Sequence, residues 1–347
     1  MSILSGISDF FGLDIGASGI RLVQLKAGSA RKSLLKYSFV PIDPKTSQSD
    51  SKEDQQKLAS IIADLVSKSQ LSTKNVAVGI PSNKVFISVV DIDKMPNEQL
   101  EKSIKYQVDS LIPTAIDESK IDWSVIGDSP VDKTKIEILL SSVPNSYTEK
   151  MLDLIEGIGL NVIAFEPNPV ALARSLVVPG SNNVQLLLDI GSRSTDLVIV
   201  MNDTPRLIRS IPTGSDAIVR AASQNLNVDY KQASQLVFKF GIAKDKLDGQ
   251  VYQALLGSVD ILVSEIEKSI NFYSNRYNGF KINKIIVTGV ASTLPEFPLY
   301  LANRFGLTVE IGNSWINTNY DPSRQNELLS ISNHFGVAVG LAERINA

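Results

Sequence analysis

The chain has no cysteine. Disulfides, thiolate-ligated zinc and thiol catalysis are therefore excluded, and a cytosolic protein fits this composition without being required by it. There is one histidine, His334. A Ser-His-Asp triad or a multi-histidine metal site would rest on that residue alone, so a packed or surface role is expected for it. No apolar run approaches the roughly 20 residues that span a bilayer, so no direct membrane span is expected. The net charge is −3 without a Lys/Arg block, which leaves no footprint for nucleic acid. The start, Met1 to Phe11, carries no early Lys or Arg and does not read as a signal peptide. Its Ile3, Leu4, Ile7, Phe10 and Phe11 are expected to pack on the fold, with contact to a membrane the alternative.

What is there is an ordinary globular composition, 43% hydrophobic and 20% charged over 347 residues, enough for two or more domains. The most informative stretch is Leu186 to Val200. Residues 184 to 190 read as a buried strand, Gly191 opens a polar turn, and Thr195 to Val200 read as a second strand. Asp189 interrupts the first strand just before its end. An ionised carboxylate beside a core is costly unless paired. Hydrated magnesium is one such partner, since this hard cation keeps its waters and borrows carboxylates and phosphates. The Gly-Ser-Arg-Ser turn offers backbone N–H groups that can cradle a phosphate. The same device occurs earlier. Leu13-Asp14-Ile15-Gly16 matches Leu188-Asp189-Ile190-Gly191, and Leu22-Val23 matches Leu197-Val198, each pair 175 residues apart. The spacing implies an internal duplication holding one ligand between its halves. The competing reading makes Asp14 and Asp189 turn acids bonding their own backbones.

In chain order, Gly12 to Val40 reads as a strand meander with turns at 16–19 and 27–29. Residues 41–53 read as an exposed loop, and Ser51 with Asp54 as the cap of a helix carrying Leu58, Ile61, Ile62, Leu65 and Val66. Asn75 to Ile80 is a strand. Residues 84–163 read as a βαββαβ-like run that buries a core of its own. Glu166-Pro167-Asn168-Pro169 reads as a turn before a short helix. After the second hairpin come a strand at 206–211, a helix capped by Ser215, a helix capped by Asp229, a long helix over 250–278 and a buried strand at 284–288. The turn Gly289-Val290-Ala291-Ser292, a helix from Pro295, a strand at 307–311 and a closing helix over 335–346 complete the order. Trp123 and Trp315 are expected to be buried or half-buried.

An Asp-x-Gly after the first strand, another after a later strand and a third glycine turn after residues 284–288 resemble the actin-like ATPase superfamily. Within it the sequence is most similar to the PilM family of type IV pilus assembly. The resemblance covers nearly the whole chain. It is carried by Phe11 to Ser18, Ile80-Pro81-Ser82, the Met95-Pro96…Glu98…Leu100 helix ending in Leu111-Ile112-Pro113, Ala171-Leu172-Ala173-Arg174, the loop 188–195, and Glu265 to Tyr273. It implies an α/β fold, a duplicated actin-like (ribonuclease H-like) architecture with two lobes around a nucleotide cleft and an inserted small α+β subdomain. The expected parts are a first lobe over 1–83 and 164–182, an inserted partner-binding subdomain over 84–163, a second lobe core over 183–213 and 283–347, and a helical subdomain over 214–282.

The resemblance also implies roles. ATP with Mg2+ would be bound, Gly16, Ala17 and Ser18 holding the terminal phosphates from one side and Gly191, Ser192, Ser194 and Thr195 from the other. Asp14 and Asp189 would meet the metal through waters. Gly214, Ser215 and Asp216 would lie near ribose and phosphates, Glu265 and Lys268 at the adenosine, and Gly289 and Val290 against it. An i, i+3 pair such as Glu265 and Lys268 is also what a solvated helix face shows. The implied partner is the cytoplasmic tail of a membrane-anchored PilN-like protein, with self-association a further possibility. The implied location is cytoplasmic, at the inner face of the membrane through that partner. Val85, Ile87, Leu111 and Ile112 are candidates for its groove. The third turn has one glycine where the family usually shows two or three, and the prolines at 167 and 169 depart from the family. Neither Glu166 nor Asn168 is an assured base for water, so slow or negligible ATPase activity is expected. The alternatives are an FtsA-like filament protein at the membrane, against which the chain stops directly after its closing helix, or a small-molecule kinase of the same superfamily, for which no sugar-kinase signature is found.

Overall fold

The computed structural model describes residues 9–26 and 31–345. In chain order the elements are β1 (Phe11–Ile15), β2 (Gly19–Lys26), β3 (Ser33–Pro41), α1 (Pro44–Gln48), α2 (Lys52–Ser69), β4 (Asn75–Ile80), β5 (Phe86–Asp93), α3 (Asn97–Leu111), β6 (Ser119–Asp128), β7 (Lys135–Pro144), α4 (Asn145–Glu156), β8 (Asn161–Pro167), α5 (Asn168–Leu176), β9 (Val184–Ile190), β10 (Thr195–Met201), β11 (Thr204–Ile211), α6 (Ser215–Leu226), α7 (Tyr230–Phe240), α8 (Gln250–Arg276), β12 (Ile282–Thr288), α9 (Phe297–Phe305), β13 (Thr308–Ile311) and α10 (Gln325–Glu343). They divide into two compact units. One comprises Met1–Leu172, Thr204–Ile208 and Val337–Ala347; the other comprises Ala173–Asp203 and Arg209–Gly336.

The first unit is built on a five-stranded sheet of order β3-β2-β1-β4-β8. Strand β1 is antiparallel to β2 and parallel to β4. Both faces are covered, so β1 and β2 read as near-continuous apolar runs rather than alternating ones. Phe11, Leu13, Ile20 and Leu22 from the sheet pack with Leu58 and Ile62 from α2 and with Met151, Leu154 and Ile155 from α4. Ser51 caps α2 by accepting from the Asp54 N–H at 3.2 Å, as the sequence implies. The loop expected over 41–53 instead contains α1, started by Asp43, whose carboxylate accepts from the Lys45 N–H at 2.8 Å. The turn expected at 27–29 and Ile3, Leu4 and Ile7 lie outside the described residues, whereas Phe10 and Phe11 are buried.

A second, three-stranded sheet of order β5-β7-β6 stands apart within the same unit. It buries Ile138 and Leu140 against Leu100, Ile104 and Val108 of α3. The sequence reading carries this inserted segment to residue 163. Here it ends at Pro144, because α4 packs into the larger core and β8 pairs with β4. Glu166 and Pro167 continue β8, and α5 starts at Asn168, so the four-residue turn expected there is a strand end running into a helix.

The second unit has a five-stranded sheet of order β11-β10-β9-β12-β13. Strand β9 is antiparallel to β10 and parallel to β12, repeating the pairing of β1 with β2 and β4. Helix α7 begins with a capping box between Asp229 and Gln232, as its sequence implies. Helix α10 begins at Gln325, well before the expected residue 335. Its first half hides Ser332 and Asn333, and buried polar residues blur the apolar stripe that marks a helix. Trp315 is buried and its indole N–H donates to the Leu328 carbonyl at 2.9 Å. Trp123 is half-buried, and His334 is exposed on α10. Among the described residues no helix is long and apolar enough to cross a membrane.

Candidate functional site

In the first unit the chain between β1 and β2 is a tight turn. The Gly16 N–H donates to the Gly19 carbonyl at 3.0 Å. The carbonyls of Ala17 and Ser18 are engaged, accepting from the Ser47 hydroxyl at 2.9 Å and the Ile42 N–H at 3.2 Å. Their own N–H groups meet no protein acceptor among the described residues. Two uncommitted amides on a turn are donors suited to an anion.

Asp14 stands one residue before the end of β1 and is buried. Its cross-strand neighbour is Arg21, whose Nη1 lies 3.3 Å from Asp14 Oδ2 and also donates to the Gly19 carbonyl at 3.2 Å. Burial pushes the Asp14 carboxyl above its ordinary value, against the opposing attraction of Arg21. This partner was absent from the sequence reading, which looked at acids and glycines. Comparing the residue opposite each acid across its hairpin would have found it.

The second unit repeats the turn at the same spacing. The Gly191 N–H donates to the Ser194 carbonyl at 3.0 Å, the counterpart of the bond from Gly16 to Gly19. The N–H groups of Ser192, Arg193 and Ser194 meet no protein acceptor among the described residues. The Ser192 hydroxyl is buried without a hydrogen-bond partner. Buried polar groups are ordinarily satisfied, so an orphan on such a turn suits a ligand. Thr195 is fully buried and donates its hydroxyl to the Thr213 carbonyl at 2.7 Å. It fastens the turn from within. Asp189 is half-buried and stands opposite Asp196, which accepts from the Ser210 hydroxyl at 2.9 Å.

Two further predicted segments are brought against this turn. Gly214 precedes α6 and lies so close that a Cβ there would sit 2.6 Å from the Gly191 carbonyl oxygen. The Ser215 and Asp216 N–H groups donate to the Gly191 and Ser192 carbonyls at 2.9 and 2.8 Å. These amides hold the turn in shape. Gly214 is the N-cap of α6, and Ser215, expected to cap it, is its first buried residue. The Asp216 carboxylate accepts from the Tyr230 hydroxyl at 3.1 Å. Burial, then the charge of Asp216, raises the Tyr230 phenol.

Gly289 closes the other side. It has φ +82 and ψ −177, a combination open essentially to glycine alone. A Cβ there would meet the Ile190 carbonyl oxygen at 2.6 Å and Asp189 Oδ1 closer still. Asn333 holds Gly289 on both sides, its carbonyl accepting from the Gly289 N–H at 2.8 Å and its side-chain amide donating to the Gly289 carbonyl at 3.2 Å. Val290 is half-buried and starts a single helical turn over Val290–Thr293. Glu265 and Lys268 on α8 pair at 2.6 Å, and Glu265 also meets Arg209 of β11 at 3.2 Å. The Lys268 ammonium holds the Glu265 carboxyl below its ordinary value.

No cluster of three or more His, Cys, Asp or Glu able to hold a metal exists among the described residues. The donor set fits magnesium that arrives on phosphates and keeps its waters, and does not fit a protein-only cage. Neither candidate for orienting water stands as a free base. Glu166 is buried 3.5 Å from Arg344, and the Asn168 side-chain oxygen is buried without a partner. Of the groove candidates, Val85 and Ile112 are buried in cores, and Ile87 and Leu111 are half-buried. A cavity of about 160 Å³ in the second unit, lined by Val178, Ile286, Ile311 and Ile316 among others, contains none of the turn residues.

Comparison with known proteins bears on the family and the fold. A family model described as type IV pilus assembly protein PilM matches residues 12–346. Among solved structures, one described as a PilM-PilN type IV pilus biogenesis complex matches with a TM-score of 0.80 and 23% identity, over 96% of this chain and 97% of that one. The ethanolamine utilization protein EutJ from Carboxydothermus hydrogenoformans matches with a TM-score of 0.55 and 14% identity, over 96% and 88%. MreB5 of Spiroplasma citri bound to AMPPNP matches with a TM-score of 0.54 and 14% identity, over 96% and 95%. The fold is therefore actin-like.

Proposed function

The chain belongs to the PilM family of type IV pilus assembly proteins, and from that premise we propose that it is an ATP-binding scaffold whose nucleotide state governs its grip on a membrane-protein tail. Each hairpin turn offers backbone donors suited to a phosphate. Ala17 and Ser18 donate from the first turn, and Ser192, Arg193 and Ser194 from the second. A hydrated magnesium ion carried by the phosphates would be met from the acid-bearing strands, of which Asp189 is the more exposed and Asp14 is already engaged by Arg21. Glu265 and Lys268 contact the nucleoside, and Gly289 lets its own backbone pack closely against Asp189 and Ile190.

The observation that carries this reading is the second turn. It keeps three uncommitted amides and an orphaned serine hydroxyl, and it is held rigid by Gly214, Ser215 and Asp216 on one side and Gly289 on the other. A plain hairpin needs none of this scaffolding. MreB5, of the same fold, is described with a nucleotide analogue bound, which supports the assignment.

The partner is the cytoplasmic N-terminal tail of an inner-membrane PilN-like protein. A structure of the same fold and family name is described in complex with PilN. Turnover is slow or negligible, because Glu166, a candidate base, is held by Arg344 at 3.5 Å. Differential affinity of the tail for the nucleotide-bound and free forms would make the scaffold responsive, since a ligand shifts a conformational balance only by that difference.

A fluorescent tail peptide from a PilN-like partner tests the proposal by anisotropy, with and without ATP and magnesium. Tail affinity should change at least several-fold with nucleotide, and Asp189→Ala should abolish that change while leaving the circular dichroism spectrum intact. Identical tail binding under all conditions, in a protein shown to bind ATP, would remove the regulatory part of the reading.

A further inference from the structure

Helix α8 turns one face inward and leaves the other to solvent. Val259, Leu262, Ile266 and Tyr273 are buried. Gly257, Ile261, Ser264, Lys268 and Phe272 are exposed. They recur at spacings of three and four residues, so they form one outward stripe. Two large apolar side chains stand on it, Ile261 at 62% and Phe272 at 59% exposure. A helix face that meets only water ordinarily carries polar residues in such places.

Gly257 is the less expected member of the stripe. Glycine weakens a helix interior, because it gives up more backbone freedom on ordering than any other residue. A glycine is needed inside a helix where something presses on it. In α10 the Ala171 backbone occupies the place of a Cβ on Gly340. A Cβ on Gly257 would meet nothing within 4 Å beyond its own helix. No close contact among the described residues requires this glycine. An exposed notch of this kind lets a second surface approach the backbone.

The stripe is complementary to itself. Gly257 and Phe272 lie equally far from a point between Ser264 and Glu265, and so do Ile261 and Lys268. We infer that α8 is the seat of a two-fold dimer of this chain, the two helices packing antiparallel about that point. Phe272 of each copy enters the notch at the partner's Gly257. Lys268 lies over the partner's Ile261 and reaches the partner's Asp260 beside it. Each contact occurs twice, as a two-fold axis requires. The charges suit this arrangement. Lys268 pairs with Glu265 at 2.6 Å while its side chain stays 62% exposed. Asp260 is exposed and accepts from the Tyr300 hydroxyl at 2.6 Å. Both keep capacity for a further partner, since an ammonium has three donors and a carboxylate about four acceptor sites. One helix face buries less than the about 1,200–2,000 Å² of stable complexes, so the dimer is weak and reversible. Lys268 cannot serve a nucleoside and a second copy at once, so the dimer belongs to the nucleotide-free protein. It does not depend on nucleotide binding.

Sedimentation velocity of the full chain without nucleotide, over a wide concentration range, reads the association. Wild type should pass from one chain to two as concentration rises and form nothing larger, because a two-fold contact closes on itself. Phe272→Ser should weaken the dimer at least about ten-fold with an unchanged circular dichroism spectrum. Gly257→Ala should raise the urea midpoint, since alanine favours helix, and yet weaken the dimer several-fold by filling the notch. Asp260→Lys and Lys268→Asp should each weaken self-association. Mixing those two variants should restore it, because opposite charges then face each other again at both ends of the interface. A wild type that stays a single chain, growth beyond two chains, a dimer untouched by Phe272→Ser, or a mixture no tighter than its components overturns the inference. Should Phe272→Ser misfold, Gly257→Ala and the mixture decide it.

Discussion

Replacing Gly289 by alanine tests whether the third turn is built for close approach or is merely a loop that happens to hold a glycine. Two costs combine. The backbone at φ +82, ψ −177 lies where a side chain costs about 1–3 kcal/mol. The new Cβ would also sit 2.6 Å from the Ile190 carbonyl oxygen. That atom belongs to β9, a strand paired on both sides, so it cannot swing away as a flexible side chain would. Forced overpacking of this kind costs about 1–3 kcal/mol more. The sum, about 2–6 kcal/mol, reaches the upper tail of single substitutions. Gly159 supplies the control. It has the same φ of +82 but nothing within 4 Å of its would-be Cβ, so Gly159→Ala should cost only about 1–2 kcal/mol. Urea unfolding followed by circular dichroism measures both, with the slope checked for constancy. If Gly289→Ala falls within about 0.5 kcal/mol of wild type, or matches Gly159→Ala, the close packing of Gly289 against Asp189 and Ile190 is refuted.

Other outcomes follow from contacts elsewhere. Arg206 on β11 and Glu137 on β7 form an ion pair with side chains 4% and 0% exposed. Arg206→Met alone should destabilise by about 3–5 kcal/mol, because Glu137 loses its buried guanidinium counter-charge. Adding Glu137→Leu should recover part of that loss in the same urea experiment. Asp229→Ala removes the capping box of α7 and should cost about 1 kcal/mol, read from the shift in urea midpoint. The Tyr300 hydroxyl donates to Asp260 at 2.6 Å. Burial first and then that carboxylate push its phenol up to about 12. The folded-state value is raised, so the contribution to stability is fully present below the ordinary tyrosine value near 10 and is lost as pH rises through about 12. An absorbance titration of phenolate in wild type and Tyr300→Phe should show one high-pH ionisation missing from the variant.

The duplicated hairpins were legible because two signals coincided. Apolar runs marked the strands, and a constant spacing tied Asp14 to Asp189, so the shared turn bond of Gly16 and Gly191 follows from the sequence. Arg21 escaped because cross-strand register is not a property of either strand alone. The limit of the inserted segment escaped for a related reason. Alternation says that β8 is a strand but not which sheet receives it, and β8 joins β4. The first half of α10 was hidden by Ser332 and Asn333, which are buried yet polar. Their hydrogen bonds to Ser314 and Gly289 explain the burial, and such bonds connect residues far apart in the chain. The capping role given to Ser215 was off by one residue, within the usual uncertainty of helix ends.

The chain passes from one unit to the other at residues 172, 203, 208 and 336, so neither unit is an uninterrupted length of polypeptide. A deletion series begun from either terminus cuts first into the same unit, and loss of tail binding in such a series would report collapse of that unit, not the address of the partner. Limited proteolysis should likewise release no stable half. The stretch from β5 to β7, with its own sheet and core, is the one that could be transplanted to locate the partner's footprint. Even there Glu137 would be parted from Arg206, so a graft should carry a neutral residue at position 137.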